Sequence, residues 1–291
     1  MVEKPSVDIN RCGLSYSGKV VIVTGGSKGI GEGCARVFVD AGAKVVICAR
    51  GAKDGEARAK ELTGQGPGTC SFIPCDVCKP VEVRNVIDKT VDLHGRLDCL
   101  INNAGQHPPH KHIDKFSVED LVDLFQINFV SCFVATQQAL PHLRKTKGNI
   151  VNIGSLVSLI GQECATTYCA VKSSMNGFTK SLAIEESRNG VRVNIILPGN
   201  LLSYGRMQLL ETEEGAEYYH WIDTNQPGGK SGTNEDAGQL ALFLACNSAS
   251  FITGAEFNLS AGAELGYGIK FRRDPVESAG ATMFTPANTE Y

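Results

Sequence analysis

Short β-branched apolar runs alternate with longer amphipathic stretches along most of this chain. KVVIVT, at 19–24, leads through a glycine-rich turn into a helical pattern, and VVICA, at 45–49, follows as a second apolar run. That order of strand, tight turn, helix and strand makes a βαβ unit. The alternation then continues. A charged helix near 54–64 precedes TCSFIPCDV, and a helix near 80–94 precedes RLDCLINNAG. One long helical stretch from about 117 to 143 leads to GNIVNIG, a proline-free helical run around CAVKSSMNGFTKSLAIEES, and VRVNIILPGN. A polar insertion rich in tyrosine and glutamate spans 203–232, and a helix near 235–246 and the strand AEFNLS close the pattern. Seven strand candidates separated by helices predict a single α/β domain, a doubly wound parallel sheet with helices on both faces. It spans 19–268, with a loose polar arm at 1–18 and an irregular tail at 269–291.

Composition narrows the class of protein. The 291 residues are 42% apolar and 20% charged, an ordinary globular mixture with room for a large core. A net charge of −3 gives no reason to expect nucleic acid or an anionic membrane as partner. The first residues lack the apolar segment of a secretory signal, and no apolar run is long enough to cross a bilayer. Eleven cysteines are scattered, mostly inside apolar runs, where a free thiol packs as a small hydrophobe. Cys75 and Cys78 form a C-x-x-C without a second pair at zinc spacing, so no metal is expected. The expectation is a reduced, cytoplasmic protein.

Candidate chemistry centres on Tyr168, Lys172 and Ser155. Tyr168 and Lys172 stand four apart on a predicted helix, which places phenol and ammonium one turn apart on one face. A cation near a phenol favours the phenolate when its effect outweighs the cost of burial. Such a tyrosine exchanges a proton with an alcohol oxygen, the chemistry that interconverts alcohol and carbonyl. The same spacing also occurs on ordinary helices. Ser155 ends the fifth strand run. Gly25, Gly29 and Gly31, between strand and helix, let backbone turn tightly and approach a pyrophosphate at the helix N-terminus. The glycine loop, Asp76, Asn102–Gly105, Ser155 and 198–203 all follow strands, so one crevice beyond the carboxyl ends can hold them all.

These pieces together resemble the short-chain dehydrogenase/reductase family, of the Rossmann fold, over residues 18–268. The matching motifs are TGGSKGIG at 24–31, CDV at 75–77, NNAG at 102–105, Asn128, Ser155, the Tyr168-x-x-x-Lys172 pair and PGN at 198–200. The resemblance implies a catalytic tetrad of Asn128, Ser155, Tyr168 and Lys172. Tyr168 is then acid/base, Ser155 hydrogen-bonds the reacting oxygen, Lys172 also holds the nicotinamide ribose, and Asn128 anchors a water relay. It further implies cofactor contacts from Gly25, Ser27, Lys28, Gly29, Ile30, Gly31, Ala49, Arg50, Asp76 and Val77. Asn103, Gly105, Tyr168, Lys172, Pro198, Gly199, Leu201 and Ser203 complete that cofactor set. Within the family, RLDCLINNAGQHPP, ALPHLRKTKGNIVNI, SLVSLIGQ, ESRNGVRVN and GAELGYG are most similar to the type 14 17β-hydroxysteroid dehydrogenases. By that likeness His107, Gln162 and Tyr267 line the substrate pocket, and the protein is a homotetramer acting on a small-molecule alcohol or carbonyl.

Two departures qualify the likeness. Where NAD-using relatives carry an acid for the ribose 2′-hydroxyl, this chain reads Ala49-Arg50, with Lys28 in the glycine loop. Two cations without a carboxylate suit a 2′-phosphate, so NADP(H) is expected to be preferred and NAD(H) possible. The second departure is the loop at 203–226, where Arg206 replaces an expected aromatic and glutamates follow. A 17β-hydroxysteroid or small ketone is the main expectation, and a sugar lactol the alternative. A nucleotide-binding protein that has lost its chemistry is the competing class.

Overall fold

The computed structural model of the chain describes residues 13–202 and 210–265. Its centre is the expected seven-stranded parallel sheet, in the order β3-β2-β1-β4-β5-β6-β7. The strands are β1 (Val20–Thr24), β2 (Lys44–Ala49), β3 (Thr69–Pro74), β4 (Cys99–Asn102), β5 (Asn149–Ile153), β6 (Arg192–Pro198) and β7 (Glu256–Leu259). Strands β1, β4 and β5 are buried along their whole length, which is why they read as continuous apolar runs rather than alternating ones. The order reverses between β1 and β4, and a crevice opens there beyond their carboxyl ends.

Helices cover both faces. On one side lie α1 (Gly29–Asp40) and the late helix α9 (Asn234–Ala245), with α2 (Ala52–Thr63) at the edge. On the other lie α3 (Pro80–His94), α5 (Ser131–Thr146) and α7 (Thr166–Glu186). Helices α1 and α9 cross closely because glycines meet there. A Cβ on Gly33 would lie 2.4 Å from the Asn234 carbonyl carbon, and one on Gly238 would lie 2.7 Å from the Gly33 oxygen.

Three local outcomes differ from the sequence reading. The stretch expected as one helix from 117 to 143 is α4 (Val118–Phe125), a π-helical turn (Gln126–Val130) and α5, which runs on to Thr146. The polar insertion contains its own helix, α8 (Glu213–Asn225), and a short α6 (Val157–Ile160) follows β5. In the described part of the N-terminal arm, Tyr16 is 1% exposed and meets Phe38 edge-on at 5.3 Å. Its N–H donates to the Ala41 oxygen at 2.8 Å, so an aromatic ring pins the arm at that point.

Among the described residues all cysteines are free, and Cys34, Cys48, Cys75, Cys99, Cys132 and Cys246 are buried. No described helix is long and apolar enough to cross a membrane, and no described group of three or more His, Cys, Asp or Glu could hold a metal ion.

Candidate functional site

The crevice starts at the glycine turn after β1. Gly25 and Gly29 have φ of 66° and 59°, a region that costs glycine nothing. A Cβ on Gly31 would lie 2.4 Å from both the Asn103 Nδ2 and the Gly25 oxygen, so the loop leaves backbone exposed where a bulky phosphate can approach. Asn103 holds this loop in shape, donating from Nδ2 to the Thr24 oxygen at 2.8 Å and to the Gly25 oxygen at 3.3 Å. Lys28 is the N-cap of α1 and offers its first turn no side-chain cap. The free N–H groups of that turn, Ser27 and Ile30 among their neighbours, can receive an anion.

At the end of β2, Ala49 is half-buried and Arg50 is exposed, with no ion pair among the described residues. Asp76 accepts from the Cys78 N–H at 3.1 Å beside the half-buried Val77. Pro198 ends β6, Gly199 donates to the Leu259 oxygen at 2.9 Å, and Leu201 bridges to Gly232. These residues all lie at or follow the carboxyl ends of β1, β2, β3 and β6, the side on which open parallel sheets bind ligands.

Three elements deliver the candidate tetrad: the π turn, the loop after β5 and α7. Asn128 sits inside the π turn, 1% exposed, where the extra residue per turn aims its amide at the loop after β4. Its Oδ1 accepts from the Gln106 N–H at 3.1 Å, and its Nδ2 donates to the Gln106 and Leu124 oxygens at 3.1 and 3.0 Å. Gly105 is wedged between two of the four. A Cβ there would lie 2.5 Å from the Asn128 Oδ1 and 3.6 Å from the Lys172 Nζ.

On α7, Lys172 is buried and donates from Nζ to the Ile153 oxygen at 3.0 Å. Burial pulls its ammonium down to about 8, with no carboxylate nearby to oppose the effect. Its Nζ lies 5.8 Å from the Tyr168 ring centre. Burial pushes the Tyr168 phenol up to about 12, while a hydrogen bond with the Ser155 side chain works the other way. Without a bound cofactor, therefore, desolvation outweighs the lysine, and Ser155 provides the main opposing influence. The condition set for a phenolate, a cation effect larger than the cost of burial, is not met here.

His107 and Gln162 join this group. The His107 ring stacks at 4.3 Å on the Tyr168 ring and at 4.9 Å on His110. One edge of His107 stays open, but desolvation of the packed face lowers its pKa, partly countered by the hydrogen bond it donates to the Pro108 oxygen and by one with the Gln162 side chain. With Nδ1–H donated to the Pro108 oxygen at 2.6 Å, a neutral imidazole leaves Nε2 able to accept from a substrate hydroxyl. Ser203, Arg206 and Tyr267 lie outside the described residues.

A family model described as short chain dehydrogenase matches residues 19–214. The chain belongs to the short-chain dehydrogenase family. An L-fucose dehydrogenase of Bos taurus is 44% identical over 259 residues, covering 89% of this chain and 94% of the relative. A 3-oxoacyl-acyl-carrier-protein reductase of Chlamydia pneumoniae is 35% identical over 241 residues, covering 82% and 94%. Among solved structures, the Pseudomonas aeruginosa RhlG/NADP active-site complex superposes with a TM-score of 0.78 at 30% identity, covering 85% of this chain and 97% of that one. Short-chain dehydrogenases work with NAD(H) or NADP(H), and the cleft described above fits such a dinucleotide. The steroid-oxidising branch expected from the sequence finds no support in these names.

Several supports of this dehydrogenase site were not legible in the sequence. Thr24 accepts at Oγ1 from the Asn103 and Ala104 N–H groups, both at 3.0 Å, and so ties β1 to the loop after β4. Asn152, fully buried on β5, accepts from Asn102 at 2.9 Å and donates to Thr179 of α7 at 2.9 Å, while Asn102 also donates to Thr136 of α5 at 3.1 Å. This polar ladder links the four elements that carry or flank the tetrad. The only signal was asparagine inside otherwise apolar strand runs, which is silent about its partners.

Proposed function

We propose that this short-chain dehydrogenase oxidises the anomeric hydroxyl of a free sugar, giving a lactone, with NADP(H) preferred. The observation that carries the sugar reading is the 44% identity, along nearly the whole chain, with an L-fucose dehydrogenase. The polar pair His107 and Gln162 beside Tyr168 supports it, since a sugar presents several hydroxyls where a steroid presents mostly hydrocarbon.

The family likeness and the geometry together support the following roles. Gly25 to Gly31 and the start of α1 would hold the pyrophosphate, Asp76 the adenine amino group and Lys172 the nicotinamide ribose. An oxidised dinucleotide held there would supply the acceptor for the hydride that leaves the anomeric carbon. Tyr168, resting as the neutral phenol, would pass its own proton toward a water beside Lys172 as it takes the hydroxyl proton and the carbon–oxygen double bond forms. Ser155, hydrogen-bonded to the phenol, holds the same oxygen and stabilises charge that develops on it. Asn128 fixes the Gln106 backbone, and would pass the proton outward through a water beside Lys172. His107 and Gln162 would orient the remaining hydroxyls.

For the cofactor, Arg50 and Lys28 supply cations at the 2′ position and Ala49 supplies no acid. Charge-assisted bonds worth about 1.5–3 kcal/mol each correspond to a preference of about tenfold or more for NADP(H). Ala49→Asp with Arg50→Ser should reverse that preference. Titration of both reduced cofactors by fluorescence at low salt checks it, and tighter NADH binding by the native chain would refute the NADP reading alone.

The substrate is tested by following cofactor reduction with L-fucose, D-arabinose, D-glucose and a 17β-hydroxysteroid under both oxidised cofactors. Turnover is expected with a sugar. Efficient turnover of the steroid with none of the sugars would return the enzyme to the hydroxysteroid branch.

A further inference from the structure

A second cavity, of about 500 Å³, lies at the opposite edge of the sheet from the crevice. Its floor is made by residues at or just before the amino ends of the four central strands: Lys19 before β1, Asp98 before β4, Asn149 on β5 and Arg192 on β6. Lys147 and Arg96 stand at its walls. Four cations and one carboxylate thus line the cavity of a chain whose overall charge is −3.

That carboxylate is already committed. Asp98 accepts from the Arg96 guanidinium at 2.6 and 2.8 Å and from the Val20 N–H at 2.8 Å. The other cations lack an acidic partner among the described residues. The Arg192 guanidinium reaches only the Ile252 and Cys246 oxygens, at 3.3 and 3.4 Å, and its surroundings desolvate it. Lys19 rests over the Tyr16 ring at 4.6 Å, and Lys147 sits on a left-handed backbone (φ 50°) where α5 ends. Lys19 and Arg192 are half-buried and Lys147 is exposed, so all three can offer charge-assisted hydrogen bonds to an anion entering the cavity.

The walls add neutral groups. Ser250 and Asn247 line the cavity, and Asn149, 2% exposed, uses its amide nitrogen three times while its Oδ1 has no partner. The Asn149 oxygen is shielded, whereas the exposed Ser250 and Asn247 side chains can meet a hydroxyl that a ligand carries beside its negative charge. We infer that this cavity binds a small hydroxylated phosphomonoester, its phosphate among Lys19, Lys147 and Arg192 and a hydroxyl toward Ser250 and Asn247. The site is separate from the dinucleotide cleft and owes nothing to the choice of sugar or cofactor.

The test uses the enzyme saturated with NADP, so that the cleft's own phosphate positions are filled. Calorimetric titration with glycerol 3-phosphate, inorganic phosphate and sulfate is run at constant ionic strength set with chloride. Saturable binding is expected, tightest for glycerol 3-phosphate. Lys19→Ala with Lys147→Asn, the asparagine chosen because it tolerates the left-handed backbone, should weaken it about tenfold or more. Arg50→Ser should leave it unchanged. As a check independent of any variant, glycerol 3-phosphate should protect Lys19 and Lys147 of the native enzyme from acetylation, read by mass spectrometry. Absence of saturable binding, equal affinity in the double variant, or unprotected lysines would each overturn the inference.

Discussion

At the scale of single residues, the site balances two buried groups that resist charge. Tyr168 keeps its proton up to about 12 and Lys172 loses its own near 8, both through burial. Tyr168→Phe removes the exchanging proton and keeps the ring, so turnover should fall by roughly two to four orders of magnitude with little change in melting temperature. Near-native turnover would assign proton transfer elsewhere. The lysine makes a separate mark on stability. Its folded pKa lies below the ordinary 10.5, so between about pH 8 and 10.5 the unfolded chain holds a proton that the folded one has released. Stability contributed by this group therefore rises with pH in that window, and below it the cost of the buried ammonium is present in full. Lys172→Met removes that cost. Its stability advantage over the native protein, from urea midpoints at pH 7, 8, 9 and 9.8, should shrink steadily as pH rises. A constant difference would mean that the lysine titrates normally.

At the scale of elements, the close α1–α9 crossing is the most restrictive contact near the cofactor cleft. Gly33→Ala gains up to about 1 kcal/mol in helix propensity. Against this, its Cβ meets backbone atoms of Asn234 that cannot rotate away, an overpacking cost of about 1–3 kcal/mol. A net loss of stability should appear as a lower urea midpoint, and any gain would show that α9 shifts freely. The same scale shows what the sequence could disclose. Strand runs and the glycine turn were legible because burial on both faces and positive φ leave strong local signatures. The π turn at Gln126–Val130 was not, since one extra residue in a helix barely disturbs an apolar pattern. Asn128 was found only through likeness, and its partner is the Gln106 backbone, which no side-chain pattern marks. The Tyr168–Lys172 spacing was read correctly as proximity. It carried no information on burial, which decides whether the cation or desolvation governs the phenol.

For the molecule as a whole, the exposed face of α5 and α7 is the strongest candidate for self-association. Phe133 is 45% exposed beside Phe178, with Leu140 and Leu182 at the base of the same groove. The homotetramer expected from the family likeness would bury this face, and it remains our proposal. Phe133→Glu with Ser181→Glu places two charges on the groove and spares the core. Sedimentation velocity should then record a smaller species than the native tetramer. Equal mass for both proteins, or a native monomer, would remove this face from the assembly.

The buried thiols give the molecule a set of internal clocks. Cys99 lies on the central strand β4, Cys48 on β2 toward the sheet edge, and Cys132 at the start of α5, each 4% exposed or less. None can react with an alkylating reagent until its own part of the fold opens, so each labelling rate measures one local excursion. If Cys132 reacts before Cys99, the helix that frames the catalytic cleft breathes independently of the sheet beneath it. If the three react together, the domain opens only as a unit.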